Sequence, residues 1–264
     1  ALIAAFIFLG GVKRLASVTE KIVPAMAVFY ILGCVGILIS RWQLLPNAFE
    51  QIFVLAFQPQ AIAGGVAGVT VREAMRYGVA RGLFSNEAGM GSTPHAHALA
   101  KVDKPQDQGI IAMIGVFFDT FVVLSLTALV IITSGTLPTG ITGTQLTQVA
   151  FDQTLGSFGN IFIAICMFFF AFSTIIGWYY FGEVNFKALF GSRAVPIYAA
   201  IVVLFVLIGS MQKVDLVWNL SDLFNGLMAI PNLIALLALS GLVARIHKGK
   251  GPGKNDKDDK PSDQ

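Results

Sequence analysis

The chain has 264 residues and a formal net charge of +3; 55% of its residues are hydrophobic and only 12% charged, with a mean hydropathy of +0.74. That composition excludes a water-soluble surface, on which about a quarter of residues carry charge, and reads as an integral membrane protein. The small positive excess does not imply nucleic acid, because charge is concentrated in short loops and in "RIHKGKGPGKNDKDDKPSDQ" (245–264), which is expected to be a disordered tail.

The chain opens on "ALIAAFIFLGG", an apolar run with no initiator Met and no basic leader. At about ten residues it is roughly half a bilayer crossing, so the expectation is the stump of a truncated helix and a fragment of a longer protein. Runs long enough to cross, at about 1.5 Å per helical residue through about 30 Å of hydrocarbon, lie near residues 22–40, 110–133, 158–182, 194–210 and 221–243. Between the first two, "RWQLLPNAFEQIFVLAFQ" (41–58) spaces Leu44, Leu45, Ala48, Ile52, Leu55 and Ala56 as one helical face beside Trp42 and Arg41, which suits a helix lying along the outer interface. The whole stretch 44–100, interrupted by Glu50, Arg72, Glu73, Arg76, Arg81 and Glu87, is expected to contain one more crossing. The total is about six transmembrane helices and the stump. "PTGITGTQLTQVAFDQTLGSFG" (138–159), rich in Thr, Gly and Gln, reads as an external loop with room for a short capping helix. Cys34 and Cys166 lie inside apolar runs and read as small buried hydrophobes rather than a redox pair.

Basic residues test this parity, because short cytoplasmic loops are enriched in Lys and Arg. With "GGVKRLASVTEK" inside, a single crossing in 44–100 puts Lys101, Lys104, Lys187, Arg193, Arg245, Lys248 and the tail lysines inside as well, leaving Arg41 and Lys213 outside. An even number of crossings would invert every loop downstream and abolish the asymmetry. A cytoplasmic C-terminus in an inner membrane is therefore expected.

Three places can carry chemistry. In "GLFSNEAGMGSTPHAHALA" (82–100), Gly89 and Gly91 can take positive φ, and Pro94 suits the first turn of a helix capped by Ser92 or Thr93. A helix break near 85–91 with a restart near 93 follows. At membrane depth such a break is tolerated where it lines a cavity, exposing backbone carbonyls and a half-helix N-terminus to a ligand; the other reading is an ordinary loop between two short helices. His95 and His97, two residues apart, lack metal-ligand spacing. Glu87 is either a structural cap or a charge on a pathway. Second, "MFFFAFSTIIGWYYFGE" (167–183) places Thr174, Gly177 and Trp178 on one helix face, with Ser173 adjacent. They form a wall for a small polar ligand, or else hydroxyls bonded to their own helix and a packing notch. Third, Asp119, about ten residues into its span, calls for an interior partner, ion or proton, or serves as a structural acceptor. Asn225, Pro231 and Asn232 read as interhelical polar contacts and a kink. No Ser/His/Asp arrangement, zincin motif or phosphate loop is present, and an enzyme is not expected.

"GVARGLFSNEAGMGSTPHAHALAKVDKPQDQGIIAMIGVFFDT" (78–120), "VTEKIVPAMAVFYILG" and "FSTIIGWYYFGE" resemble blocks of the alanine or glycine:cation symporter family, and the similarity runs to about residue 245. The resemblance implies an all-α, leucine-transporter-type inverted-repeat fold. Residues 1–245 would hold the end of core helix 4 through helix 10, followed by a tail at 246–264, with the earlier helices of the same protein missing. It implies sodium-coupled symport of a small neutral amino acid, alanine or glycine. The partners would be that substrate, Na+ and the bilayer, with sodium as coupling ion and no other cofactor. The substrate-lining positions it implies are Phe84, Ser85, Asn86, Thr174, Gly177 and Trp178, and the sodium-binding ones Ser173 and Thr174. A proton-coupled transporter of the same fold and a non-transporting amino-acid sensor are the alternatives.

Overall fold

The computed structural model describes residues 8, 11–57, 71–137 and 140–248, and among these every regular element is helical. In chain order the elements are α1 (Gly11–Ser40) and, after a 3-10 turn at Trp42–Leu44, α2 (Leu45–Phe57). Then come α3 (Val71–Asn86), the single-turn α4 (Pro94–His97) and α5 (Pro105–Ser134). They are followed by α6 (Gly143–Leu155), α7 (Ser157–Phe190), α8 (Val195–Ser210) and α9 (Val214–His247). The stump expected at the N-terminus lies largely outside the described residues, and so does nearly all of the tail.

Five stretches are long and apolar enough to cross a membrane: Ser17–Ser40, Pro105–Ser134, Ser157–Phe190, Ser192–Ser210 and Val214–Ile246. They coincide with the five apolar runs of the sequence and extend past them, since a helix does not end where its apolar stripe ends. α9 exposes Leu227, Ile234, Leu237 and Val243, each more than half accessible. Faces of this kind are stable only against hydrocarbon or other protein, and the chain is a multi-pass membrane protein. Among the described residues no sixth crossing is recognisable by length and hydropathy: α3 carries three arginines and stops at Asn86, and residues 58–70 of the stretch expected to hold it lie outside the described residues.

The principal core joins α1, α2, α5, α6 and α7 around Cys34, Ile37, Val130, Phe151 and Cys166, all essentially inaccessible. Both cysteines are free thiols packed as small apolar groups. The C-terminal ends of α1, α5 and α6 are tied together by Arg41, which donates to the carbonyls of Thr133 (2.7 Å) and Gln153 (3.2 Å). Those carbonyls lie in the last turns of α5 and α6, where helix carbonyls lack partners and a cation is favoured. The segment 138–159, expected as a loop with room for a short capping helix, is mostly the 13-residue helix α6, packed into the core. Leu146, Ala150 and Thr154 repeat every four residues, with Phe151 fully buried, so this stripe outweighs the turn-forming Thr and Gly. A second, smaller core joins α7 and α8 around Ile176, Tyr179, Tyr180 and Ala199, with Phe8 stacked on Tyr179 at 3.7 Å.

α5 is not uniform. Phe118–Leu124 winds as a π-helix, the wider turn that recurs at functional positions in otherwise α-helical segments. It is the part of α5 that α3 packs against.

Candidate functional site

α3 ends at Asn86 because the next residues leave helical space. Glu87 has φ +55°, Gly89 +119° and Gly91 +81°. Such values are costly for a residue with a Cβ, so Glu87 needs local compensation, and the loop supplies it. Ser92 Oγ donates to Glu87 Oε2 at 2.9 Å, Ala88 N donates to Asn86 Oδ1 at 2.9 Å, and Met90 N donates to the Glu87 carbonyl at 3.3 Å. Glu87 thus acts in the structure as a clasp on the break. α4 restarts at Pro94, as its position after Thr93 suggests, but no side chain caps it. Thr93 is itself helical in φ and ψ, and the Ser92 hydroxyl is committed to Glu87. The break lies where the sequence puts it, and the expected hydroxyl cap does not form.

Each side of the break is pinned to a different helix. On the α3 side, Ser85 Oγ donates to Asp119 Oδ2 at 2.7 Å, and Asn86 Nδ2 reaches Thr120 Oγ1 at a long 3.4 Å. Both acceptors sit in the π turn of α5, and Ser85 is a partner for Asp119. One turn earlier, the Arg81 guanidinium forks onto the Asp222 carboxylate of α9 and lies 4.1 Å from the centre of the Trp218 ring; Phe84 meets the same ring edge-on at 5.7 Å. On the α4 side, His95 Nδ1 lies 2.9 Å from the Ser92 carbonyl, so it carries the proton and donates. Its Nε2 then accepts from Asn185 Nδ2 of α7 at 3.1 Å, and Tyr180 Oη donates to the His95 carbonyl at 3.2 Å. His97 pairs with Gln108 of α5 at 2.6 Å. Neither histidine joins a group of three or more His, Cys, Asp or Glu suited to a metal among the described residues.

A cleft of about 570 Å³ opens beside the break, walled by Gly91, Ser92 and His95, by Trp178 and Asn185 of α7, by Tyr198 of α8 and by Asn232 of α9. Asn232 lies so close to Gly91 that a Cβ there would stand 3.0 Å from Asn232 Oδ1. Asn232 thus packs against the backbone of the break, a polar contact between helices. On the facing helix, Ser173 and Thr174 donate to the Phe170 carbonyl at 3.0 and 2.8 Å. Their oxygens retain lone pairs. Thr174 is exposed, and a Cβ on Gly177 would meet no atom within 4 Å, so this glycine is not a packing notch for any described helix.

The structure therefore brings Trp178 together with residues 91–95, and turns Ser85 and Asn86 toward α5. Among the described residues no hydrogen bond or ring contact joins Phe84, Ser85 or Asn86 to Ser173, Thr174, Gly177 or Trp178. Sequence reasoning missed the Arg81–Asp222–Trp218 cluster, whose signal was a Trp and an Asp spaced i, i+4 on one face of α9. It also missed Glu183, which is buried near the end of α7.

A sequence model of the sodium:alanine symporter family matches residues 1–260. The chain is 44% identical over 247 residues to the sodium/alanine symporter AgcS of Methanococcus maripaludis, covering 92% of this chain and 53% of that one. It is 41% identical over 251 residues to the amino-acid carrier protein AlsT of Bacillus subtilis, covering 94% and 52%. To the sodium/proton-dependent alanine carrier protein of Bacillus sp. strain PS3 it is 34% identical over 277 residues, covering 95% and 61%. The chain spans about half the length of the curated relatives it matches.

Proposed function

Because the chain belongs to the sodium:alanine symporter family, a family of transporters and not of enzymes, we propose that the full-length protein couples sodium entry to uptake of a small neutral amino acid, alanine or glycine, across the cytoplasmic membrane. The observation that carries this reading beyond the family name is the interrupted helix. α3 stops at Asn86, the backbone passes through three positive-φ residues, and α4 restarts at Pro94 against Trp178. Irregular backbone in a membrane protein belongs where it lines a cavity, and there it offers carbonyls to a cation and amide groups to a carboxylate.

In this reading the fold is of the leucine-transporter type, residues 1–245 are its transport domain, and the C-terminus is cytoplasmic. Thr174, Gly177 and Trp178 face the substrate from α7, Phe84, Ser85 and Asn86 reach it from α3 once Ser85 and Asn86 leave their partners on α5, and Ser173 and Thr174 offer oxygens to sodium. Sodium orders the broken segment, the amino acid completes the site, and alternating access carries both inward. Trp178 and Phe84 limit the size of the side chain accepted.

The test is uptake of labelled alanine and glycine into proteoliposomes bearing the full-length protein. Accumulation driven by an inward sodium gradient, and abolished when choline replaces sodium, is the expected result. Accumulation driven by a proton gradient alone favours the proton-coupled reading, and binding without accumulation indicates a sensor.

A further inference from the structure

Between α3 and α9, just ahead of the break, lies a cavity of about 470 Å³ that none of the substrate-facing residues proposed above lines. Arg76, Ala80 and Leu83 wall it from α3, and Asp222, Asn225 and Ala229 from α9, each set at helical spacing along one face. Only Arg76, Asp222 and Asn225 bring polar groups to a wall that is otherwise apolar.

These three match the ends of an amino acid. Asn225 Nδ2 is buried and has no hydrogen-bond acceptor among the described residues. A buried donor without an acceptor is unfavourable, and the cavity that Asn225 lines is where one can arrive. Arg76, its guanidinium carbon 5.7 Å from the centre of the Tyr77 ring, adds a cation to the same wall. An amide donor and a guanidinium together suit a carboxylate. Asp222 receives the Arg81 fork, yet its side chain stays 27% exposed, and a carboxylate has lone pairs for more than one donor. It suits an ammonium. Leu83, Ala80 and Ala229 suit a short side chain, and Gly226 keeps room for it, because a Cβ there would meet no atom within 4 Å. A bare anion would face Asp222 and a bare cation would face Arg76, whereas a zwitterion satisfies both.

The cavity has a neighbour on either side. Arg76 and Asp222 are shared with a cavity of about 780 Å³ that Thr144 and Gln145 of α6 and Asp215 of α9 also line. Met90 is shared with the cleft beside the break. The three spaces follow one another along α9, at Asp215, Asn225 and Asn232 in turn. We infer that the cavity between α3 and α9 is a second amino-acid site, where a small zwitterion is held on its way between the N-terminal end of α9 and the break. Resting on the transporter reading above for its ligand, the site takes alanine or glycine, with Asn225 and Arg76 at the carboxylate and Asp222 at the ammonium.

Full-length protein carrying Ala229→Cys and no other reactive cysteine reports on the cavity through its rate of maleimide labelling in detergent. Alanine is expected to slow labelling, and propionate, which lacks the ammonium, to slow it far less at the same concentration. Asn225→Leu is expected to raise the protecting alanine concentration about tenfold or more, the weight of one hydrogen bond to a charged group. Gly177→Leu, which fills the α7 side of the path, is expected to leave protection in place. The inference is overturned if alanine gives no protection, if propionate matches it, if Asn225→Leu leaves it unmoved, or if Gly177→Leu removes it, since alanine would then act from the α7 side. A second readout does not need Asn225→Leu to fold. In proteoliposomes, Gly226→Leu, whose added carbons enter the cavity, is expected to slow initial alanine uptake several-fold and leave the final accumulation ratio unchanged, because a transit site sets a rate and not the balance of gradients. Uptake at the wild-type rate overturns the inference. If the wild type accumulates no amino acid under any gradient, the transporter reading fails, and the labelling still decides the site.

Discussion

Gly91 and Gly177 look alike in sequence, each between larger residues near a proposed ligand path, and the structure gives them opposite roles. Gly91 is held at φ +81° with Asn232 against it, so any Cβ is penalised twice, by the backbone and by contact. Gly91→Ala is expected to cost about 1–2 kcal/mol from the left-handed backbone alone, with further loss from displacing Asn232. Gly177 sits in ordinary helix with open space before it, and Ala there relieves the helix of glycine's excess entropy, worth about 0.5–1 kcal/mol. Thermal unfolding of the solubilised protein should therefore fall for Gly91→Ala and hold or rise for Gly177→Ala. Uptake should fall in both, in the second through a raised KM because the added methyl enters the proposed site. Equal melting shifts for the two variants would contradict the assigned geometry.

Between elements, the contact that sets the end of α3 is Ser85 on Asp119. The π turn at Phe118–Leu124 is where α5 meets α3, and the Asp119 and Thr120 it carries receive Ser85 and Asn86. A hydrogen bond to a carboxylate is worth about 1.5–3 kcal/mol, less where water competes. A double-mutant cycle of Ser85→Ala and Asp119→Ala is thus expected to show a coupling of about 1–2 kcal/mol in unfolding free energy. Asp119→Asn, which keeps an acceptor oxygen, should lose less than Asp119→Ala. Additive single effects would mean that the two side chains do not hold each other in the membrane. The Arg81 fork on Asp222 is a weaker support than its geometry suggests, since about a third of the Arg81 side chain is exposed and solvent screens the pair.

For the molecule as a whole, the arrangement of basic residues predicts an orientation that labelling can test. Cys34 and Cys166 are buried and should stay unreactive, so a cysteine introduced at Lys104 or at Lys213 reports alone. In intact right-side-out vesicles, an impermeant maleimide should label Lys213→Cys and not Lys104→Cys, with the reverse in inverted vesicles. The opposite pattern, Lys104→Cys labelled and Lys213→Cys protected in right-side-out vesicles, would mean that with the start of α1 inside the segment containing α3 and α4 crosses an even number of times, and the broken-helix reading would go with it. The single crossing expected between α2 and α5 need not be strongly apolar. A crossing whose faces meet other helices and a cleft does not need an unbroken hydrophobic belt, and its arginines are affordable once Arg81 has Asp222 and Trp218 beside it.

The sequence by itself determined the membrane class, the five clear spans and the position of the break. Each rests on local physics: the length of an apolar run, the left-handed tolerance of glycine and the fixed φ of Pro94. Family resemblance was likewise legible, because it is carried by long contiguous blocks. What only the tertiary structure decided depends on which helices meet. It gave Asp119 to Ser85 and Arg81 to Asp222, and it turned Ser92 from a helix cap into a clasp for Glu87. It also packed α6 into the core where the sequence offered a loop with room for a short helix, and left Glu183 buried among three tyrosines. Pairing across helices and desolvation at their contacts are properties of neighbours distant in sequence, and no window along the chain contains both partners.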